Sequence, residues 1–414
     1  MKPEDTPSGD PTSEKLALNA NLLIIFGVTL MAVLGVASIT PAFPTIGNQF
    51  GIPPEMMSLV IILFTIPGVI FTPFFGVAAD RYGRKRVLVP ALILFGIAGF
   101  ACAFSQAIGI LFGLSPFLVL LIFRFFQGVG AASLGSINVT IIGDLYKRQT
   151  RTQIMGYNAS MQSVGTAAYP TIGGFLALFG WFFPFFLPLL AIPIGIGALI
   201  KLKNPEPTEV TSLRSYFGDV AQLLRDKRVL GLFVIGTTLF IMLYGAIIYN
   251  LPFLVTTVFF VNSFVAGLVV SLISVASGLI APLVGSLARR YSLKILLLVA
   301  FPLFALGLFL IPFAPTLWLL LIPVFIYGLG MGLAMPSVQT LLVGLAPLEC
   351  RAALMSLNGF VLRLGQTLGP LIMAFVISFW GFTGVYWVAA ILALLMIPVV
   401  ITTVSSLRPL KIDD

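Results

Sequence analysis

Two arginines stand inside long apolar runs, and they are the residues of this chain best placed to do chemistry. Arg124 lies in PFLVLLIFRFFQGVGAA, with Gln127, Gly128 and Ala131 at i+3, i+4 and i+7, so it heads a small, partly polar helix face. Arg363 repeats the pattern, with Gln366 and Pro370 at i+3 and i+7. A cation at the centre of a membrane helix costs about 3 kcal/mol on insertion scales unless it faces water or finds acceptors. Each arginine therefore either looks into a polar space or is tied to backbone carbonyls as a brace. No partner of opposite sign is at hand. Of the 14 acidic residues none falls within the interior of an apolar run; Asp80 and Asp144 stand at run ends and Glu55 in a loop. Histidine is absent, and the two cysteines fall in an apolar run (Cys102) and a loop (Cys350), so no zinc site or disulfide framework is expected. With no paired in-span carboxylates, no metal cluster and no Ser/His constellation, neither an enzyme nor a cofactor is expected.

The elements that must position these residues follow from composition. The chain has 414 residues, of which 59% are hydrophobic and only 9% charged, with a mean hydropathy of +1.10. Soluble domains carry about a quarter charged residues, so lipid must solvate most of this chain. At about 20 apolar residues per crossing, twelve crossings need roughly 240 residues, which the length permits. Apolar runs occupy 20–46, 56–79, 87–107, 116–143, 153–179 and 182–201, then 229–252, 262–287, 294–313, 316–345, 352–379 and 384–406. The expected organisation is a cytoplasmic tail at 1–19, a six-helix bundle at 20–201, a linker at 202–228, a second bundle at 229–407 and a short tail at 408–414. The first residues lack the apolar core of a cleaved signal peptide. Leu213 to Leu224 reads as a short amphipathic helix at the membrane surface.

Charge sets the orientation. With a cytoplasmic amino terminus, 21 of the 23 Lys and Arg residues fall on the inside, and the outside loops carry only Glu55. The net charge of +9 is thus read as topology rather than nucleic-acid binding. Both termini are expected in the cytoplasm of an inner or plasma membrane protein.

The two sets also repeat. Pro73, Gly76, Ala79, Arg81, Tyr82 and Lys85 recur 209 residues later as Pro282, Gly285, Ala288, Arg290, Tyr291 and Lys294. Arg151, Met155, Asn158, Gly165 and Pro170 recur 200 residues later as Arg351, Met355, Asn358, Gly365 and Pro370. Parallel duplication of a six-helix unit explains both series. In the fifth run Asn158, Gln162, Gly165, Tyr169 and Gly173 form a polar, glycine-rich stripe at helical spacing, which lines either a cavity or a close helix contact. Tyr244, Tyr249, Asn250, Tyr327 and Gln339 are further cavity candidates, whereas Phe123, Phe125 and Phe240 read as lipid-facing or core.

These motifs resemble the major facilitator superfamily, most closely its 12-span drug:proton antiporters. GVAADRYGRKR, from Gly76 to Arg86, resembles the family's signature loop between the second and third helices. Arg124, Gln127, Gly128 and Gly130 resemble its Arg-x-x-Gln-Gly-x-Gly motif. Gly165, Pro170, Gly173 and Gly174 resemble the antiporter motif of the fifth helix, with Tyr169 where that motif has its second glycine; Gly365, Gly369 and Pro370 keep the unaltered form in the eleventh. The resemblance implies an all-α fold of two six-helix bundles with a substrate cavity between them. It also implies an inner gate built on Gly76, Asp80, Arg81, Gly83, Arg84 and Asp144, with Asp80 facing the start of the eleventh helix, and a coupling role for Arg124. Independently, Gly76 with Ala78 and Ala79 would let the second helix approach a neighbour closely. A purely topogenic reading of Arg81 to Arg86 stays open.

The expected activity is secondary active export of small organic solutes, neutral or anionic in preference to cationic, by alternating access. Protons are a candidate coupling ion, although the carboxylate that usually carries them is missing. A uniporter or importer of a metabolite anion, a transporter-fold sensor and a membrane-embedded lipid enzyme are the alternatives. Lipid and a small-molecule substrate are the expected partners of a monomeric protein.

Overall fold

The computed structural model describes residues 20–146, 148–202, 225–345 and 351–405. The tails, the surface helix expected at Leu213 to Leu224 and Cys350 lie outside the described residues. All regular structure among the described residues is helical. In chain order the helices are α1 Ala20–Phe50, α2 Pro54–Tyr82, α3 Arg84–Phe112, α4 Pro116–Leu145, α5 Arg148–Leu176, α6 Phe183–Lys201, α7 Lys227–Val258, α8 Ser263–Arg290, α9 Leu293–Phe313, α10 Leu317–Leu345 and α11 Arg351–Ser405. Ten helical stretches are long and apolar enough to cross a membrane. The helix left out is α5, whose exposed Gln153, Ser160, Gln162 and Ser163 lower its hydropathy. The apolar stretch of α11 runs 48 residues and breaks at Gly381, whose φ of 62° is left-handed and favours glycine. The α2–α3 turn is similarly made by Gly83 at φ 97°, which places Tyr82 and Arg84 at the ends of consecutive helices.

Two apolar cores form. One is built from α1 to α6, the other from α7 to α11, and Tyr249, Phe253 and Ala374 reach from the second set into the first. Within each set small residues let backbones meet, as lipid-solvated helices require. A Cβ on Gly128 of α4 would strike the Phe64 backbone of α2, and one on Gly130 would lie 2.6 Å from the Phe95 nitrogen of α3. In the second set a Cβ on Gly328 of α10 would lie 2.7 Å from the Ile273 carbonyl of α8.

Candidate functional site between the two helix sets

The two sets meet along α5 with α8 and along α2 with α11. At the cation-poor end the contact is tight. Gly174 of α5 lies on the Ser263 carbonyl of α8 and Gly267 of α8 on the Pro170 carbonyl of α5, each so close that no side chain fits, while Gly173 packs on the Ser38 carbonyl within the first set. Thr45 and Ser263 hydroxyls are 3.0 Å apart, Thr171 and Ser271 hydroxyls 2.9 Å, and the Tyr249 hydroxyl donates to the Pro54 carbonyl. These bonds all join the first set to the second.

The cation-rich end is different. Nothing lies within 4 Å of where a Cβ would stand on Gly76, Gly156, Gly278, Gly285 or Gly359. The close neighbour expected at Gly76 is therefore not found among the described residues, and this glycine faces open space. The polar side chains of α5 from Gln153 to Ser163 and Gln339 and Thr340 of α10 are exposed along the same half of the molecule. Exposed amides and hydroxyls on membrane helices are stabilised by water rather than by lipid tails, so this half holds a polar opening.

The expected gate residues cluster there. Arg84 ion-pairs with Asp80 and reaches Asp144 at 3.2 Å, joining the ends of α2, α3 and α4. Arg151 folds back on the C-terminus of α4, donating to the Gly143 carbonyl at 2.9 Å and the Tyr146 carbonyl at 3.0 Å, where free carbonyls and the helix dipole favour a cation. The helix start expected opposite Asp80 adjoins residues 346–350, outside the described residues. If the Asp80 cluster works as a gate, Asp80→Asn should lower transport at least about tenfold while Arg289→Gln changes it less than about twofold, the network charge being lost only in the first. Uptake into proteoliposomes, normalised to inserted protein, checks this; equal effects would return the loop to a topogenic role. Asp226 caps α7 and is hydrogen-bonded by Arg228, which holds its carboxyl below the usual carboxylate range.

The two arginines part company. Arg124 is fully buried inside the first set, where it donates to the carbonyls of Gly35 at 2.8 Å and Val60 at 3.1 Å and to the Gln127 side chain at 2.7 Å, with its guanidinium 4.3 Å from the Phe64 ring centroid. This is the brace geometry: Arg124 ties α1, α2 and α4 together and does not face the space between the sets. Arg363 is half-buried and crosses that space. Its Nη2 donates to the Ala131 carbonyl of α4 at 3.2 Å, and its side chain lies against Gly68 of α2. One turn on, the Thr367 hydroxyl donates to Thr65 at 2.8 Å, with Gln366 half-buried beside it.

The other expected residues divide similarly. Gln162 and Gln339 are exposed and Asn158 half-exposed, as cavity residues would be. Tyr169 and Tyr327 are buried, and Asn250 is fully buried with its amide donating to the Gly245 carbonyl at 2.7 Å, so these three pack instead of lining the opening. Gly165, Gly173, Gly365, Gly369 and Pro170 all serve close helix contacts; Gly369 would carry a Cβ 2.7 Å from the Ile241 carbonyl of α7, and Pro370 is buried beside it. Two further features are set by packing and backbone geometry. Residues Met242–Tyr249 form a π-helix in the middle of α7, a wider coil often found at functional sites. Thr29 and Asn138 join Asn158 in a polar node linking α1, α4 and α5, in which the Asn138 amide donates to the Thr29 hydroxyl at 2.8 Å and that hydroxyl is bonded to Asn158. The polar residues at 29 and 138 are the available signal for the node; the π-helix has none in the hydropathy.

An all-helical, lipid-solvated chain whose two helix sets close at one end and part at the other has the architecture of a membrane transporter. The chain belongs to the Major Facilitator Superfamily, whose family model matches residues 25–265 and 234–411. Among characterised proteins it is similar to the bacillibactin exporter of Bacillus subtilis (strain 168), 23% identical over 86% of this chain and 90% of the exporter. It is also similar to the class H tetracycline resistance protein of Pasteurella multocida, 23% identical over 89% of this chain and 91% of that protein. Among solved structures, a mutant form of the nucleoside transporter NupG superposes with a TM-score of 0.76 over 93% of this chain and 100% of NupG at 14% identity, a likeness of fold.

Proposed function

We propose that this chain crosses the membrane twelve times, as two six-helix halves with both termini in the cytoplasm, and exports small organic solutes, neutral or anionic, as a monomer working by alternating access. Support for the count comes from the broken α11, whose 48 apolar residues would extend about 72 Å if straight, too long for one crossing of a core about 30 Å thick. The 29-residue α5 is long enough to span, its polar face turned to the opening. Orientation rests on the cations, so the open end faces the cytoplasm, ready to load a solute for export. The efflux relatives agree in direction.

The observation that carries the solute class is the charge between the halves. Arg363 is the in-span charge that faces this space, and no in-span carboxylate offsets it. A low-dielectric space with one uncompensated cation repels permanent cations and favours neutral or anionic guests. The lack of a carboxylate in the interior of any span likewise gives proton exchange no obvious carrier. Proteoliposomes under imposed pH and voltage gradients, given matched cationic, neutral and anionic solutes, test it. Rapid transport of quaternary ammonium compounds, unimproved by Arg363→Gln, would overturn the solute class.

Topology has its own expected result. On a background lacking Cys102 and Cys350, single cysteines at Gly51 and Val261 should react with an impermeant maleimide from outside, and those at Ser212 and Ser292 only after the membrane is opened. External labelling at Ser212, which lies outside the described residues, would break the six-plus-six arrangement.

A further inference from the structure

We propose that Arg363 is the receptor for the carboxylate of an aromatic monoanionic solute, that Phe240 and Tyr244 supply its ring surface, and that the carboxylate takes the guanidinium from the Ala131 carbonyl. The proposal rests on the transport reading above and names the solute within it.

Three features of the site lead there. First, Arg363 is under-used. A guanidinium carries five N–H donors in a planar fork, yet among the described residues its hydrogen bonding is the one 3.2 Å contact from Nη2 to the Ala131 carbonyl. A carboxylate accepts through two oxygens and carries a full charge, so its bonds to the fork are roughly twice as strong as those of a neutral carbonyl. An incoming carboxylate therefore outcompetes Ala131 for this arginine.

Second, the position of Arg363 is set from the opposite half. A Cβ on Gly68 would lie 2.9 Å from Cδ and 3.0 Å from Cζ of Arg363, so a side chain there would push the guanidinium aside. The Ala131 bond, the Thr367–Thr65 bond and the Gly68 contact all join α11 to the first half. An anion that releases Arg363 from Ala131 loosens one of these ties at the moment it binds, which couples occupancy to movement of the halves.

Third, aromatic surface adjoins the cation. Phe240 and Tyr244 on α7 are stacked, with centroids 5.7 Å apart and planes 14° apart. Tyr244 interacts electrostatically with Arg363 and packs onto the apolar core of the opposite half, and Phe240 stacks on it, so the pair adjoins the interface at Arg363. Both side chains are half-buried and leave ring surface to a guest. Arg124 is walled in, so one positive charge is on offer, which fits a monoanion better than a dianion.

The test measures binding of 2-naphthoate, 2-naphthalenemethanol and 2-naphthylmethylammonium to the purified full-length protein by calorimetry, and transport of the same three in proteoliposomes. Naphthoate should bind at least about tenfold more tightly than the ammonium compound, the value of one charge-assisted pair. Arg363→Gln should erase that preference, Arg363→Lys should keep part of it, and Gly68→Ala should weaken naphthoate alone by displacing the arginine. Tyr244→Ala should weaken all three ligands alike. Equal affinity for the three in the parent, or naphthoate binding unchanged in both Arg363→Gln and Gly68→Ala, overturns the proposal. If the parent still moves a neutral solute in that case, only the carboxylate receptor fails; if it moves no solute of any charge, the transport reading fails with it.

Discussion

A disulfide between positions 45 and 263 should stop transport almost completely, and a reductant should restore it. Thr45 and Ser263 place their hydroxyls 3.0 Å apart across the closed end, so Thr45→Cys and Ser263→Cys bring two sulfurs within bonding reach. On a background of Cys102→Ala and Cys350→Ala the pair should oxidise readily and hold the cation-poor end shut. Around it the carbonyls of Ser263 and Pro170 press on Gly174 and Gly267, so opening this end means separating surfaces that fit only because a glycine stands on one side of each contact. Alternating access requires that separation once per cycle, and a covalent bond forbids it. Solute should still bind the oxidised protein, because the other end stays open. Undiminished transport by protein shown to be fully cross-linked would mean that the halves do not part here.

The second large effect concerns stability. Arg124→Ala should lower the folding stability by about 3 kcal/mol or more, because it strands the Gly35 and Val60 carbonyls and the Gln127 side chain in a dry interior. The thermal midpoint of the detergent-purified protein should fall well below that of the parent. Arg363→Gln should move the midpoint little, since it gives up one 3.2 Å bond at a half-buried position, yet it should change solute preference. The contrast separates two arginines that look alike in the sequence. A midpoint unchanged in Arg124→Ala would remove the brace.

Much of the fold was legible because lipid imposes a simple rule. In a helical membrane protein most crossings are long apolar runs, so the runs in the sequence marked the helices closely, and the break expected near residue 380 falls at Gly381. The Asp80, Arg84 and Asp144 cluster could be anticipated because each residue sits at a helix end, where a charge can reach the interface. The cavity residues were only partly legible. Gln162 and Gln339 are exposed, but Asn250 turns into its own helix, since a polar side chain can satisfy itself on a nearby carbonyl as well as on water. Helical periodicity gives the spacing of a stripe without saying which neighbour it meets.

The sequence by itself determined that this is a multi-span membrane protein, which end of it is cationic, that it has no histidine and that no carboxylate stands in the interior of an apolar run, because composition and charge placement act residue by residue. The tertiary structure alone decided which arginine is sealed into a bundle and which reaches across to the other half. Arg124 and Arg363 both have a glutamine at i+3, but the backbone carbonyls that receive them belong to residues 64 and 89 positions away for the first and 232 positions away for the second, and only packing brings those acceptors within reach.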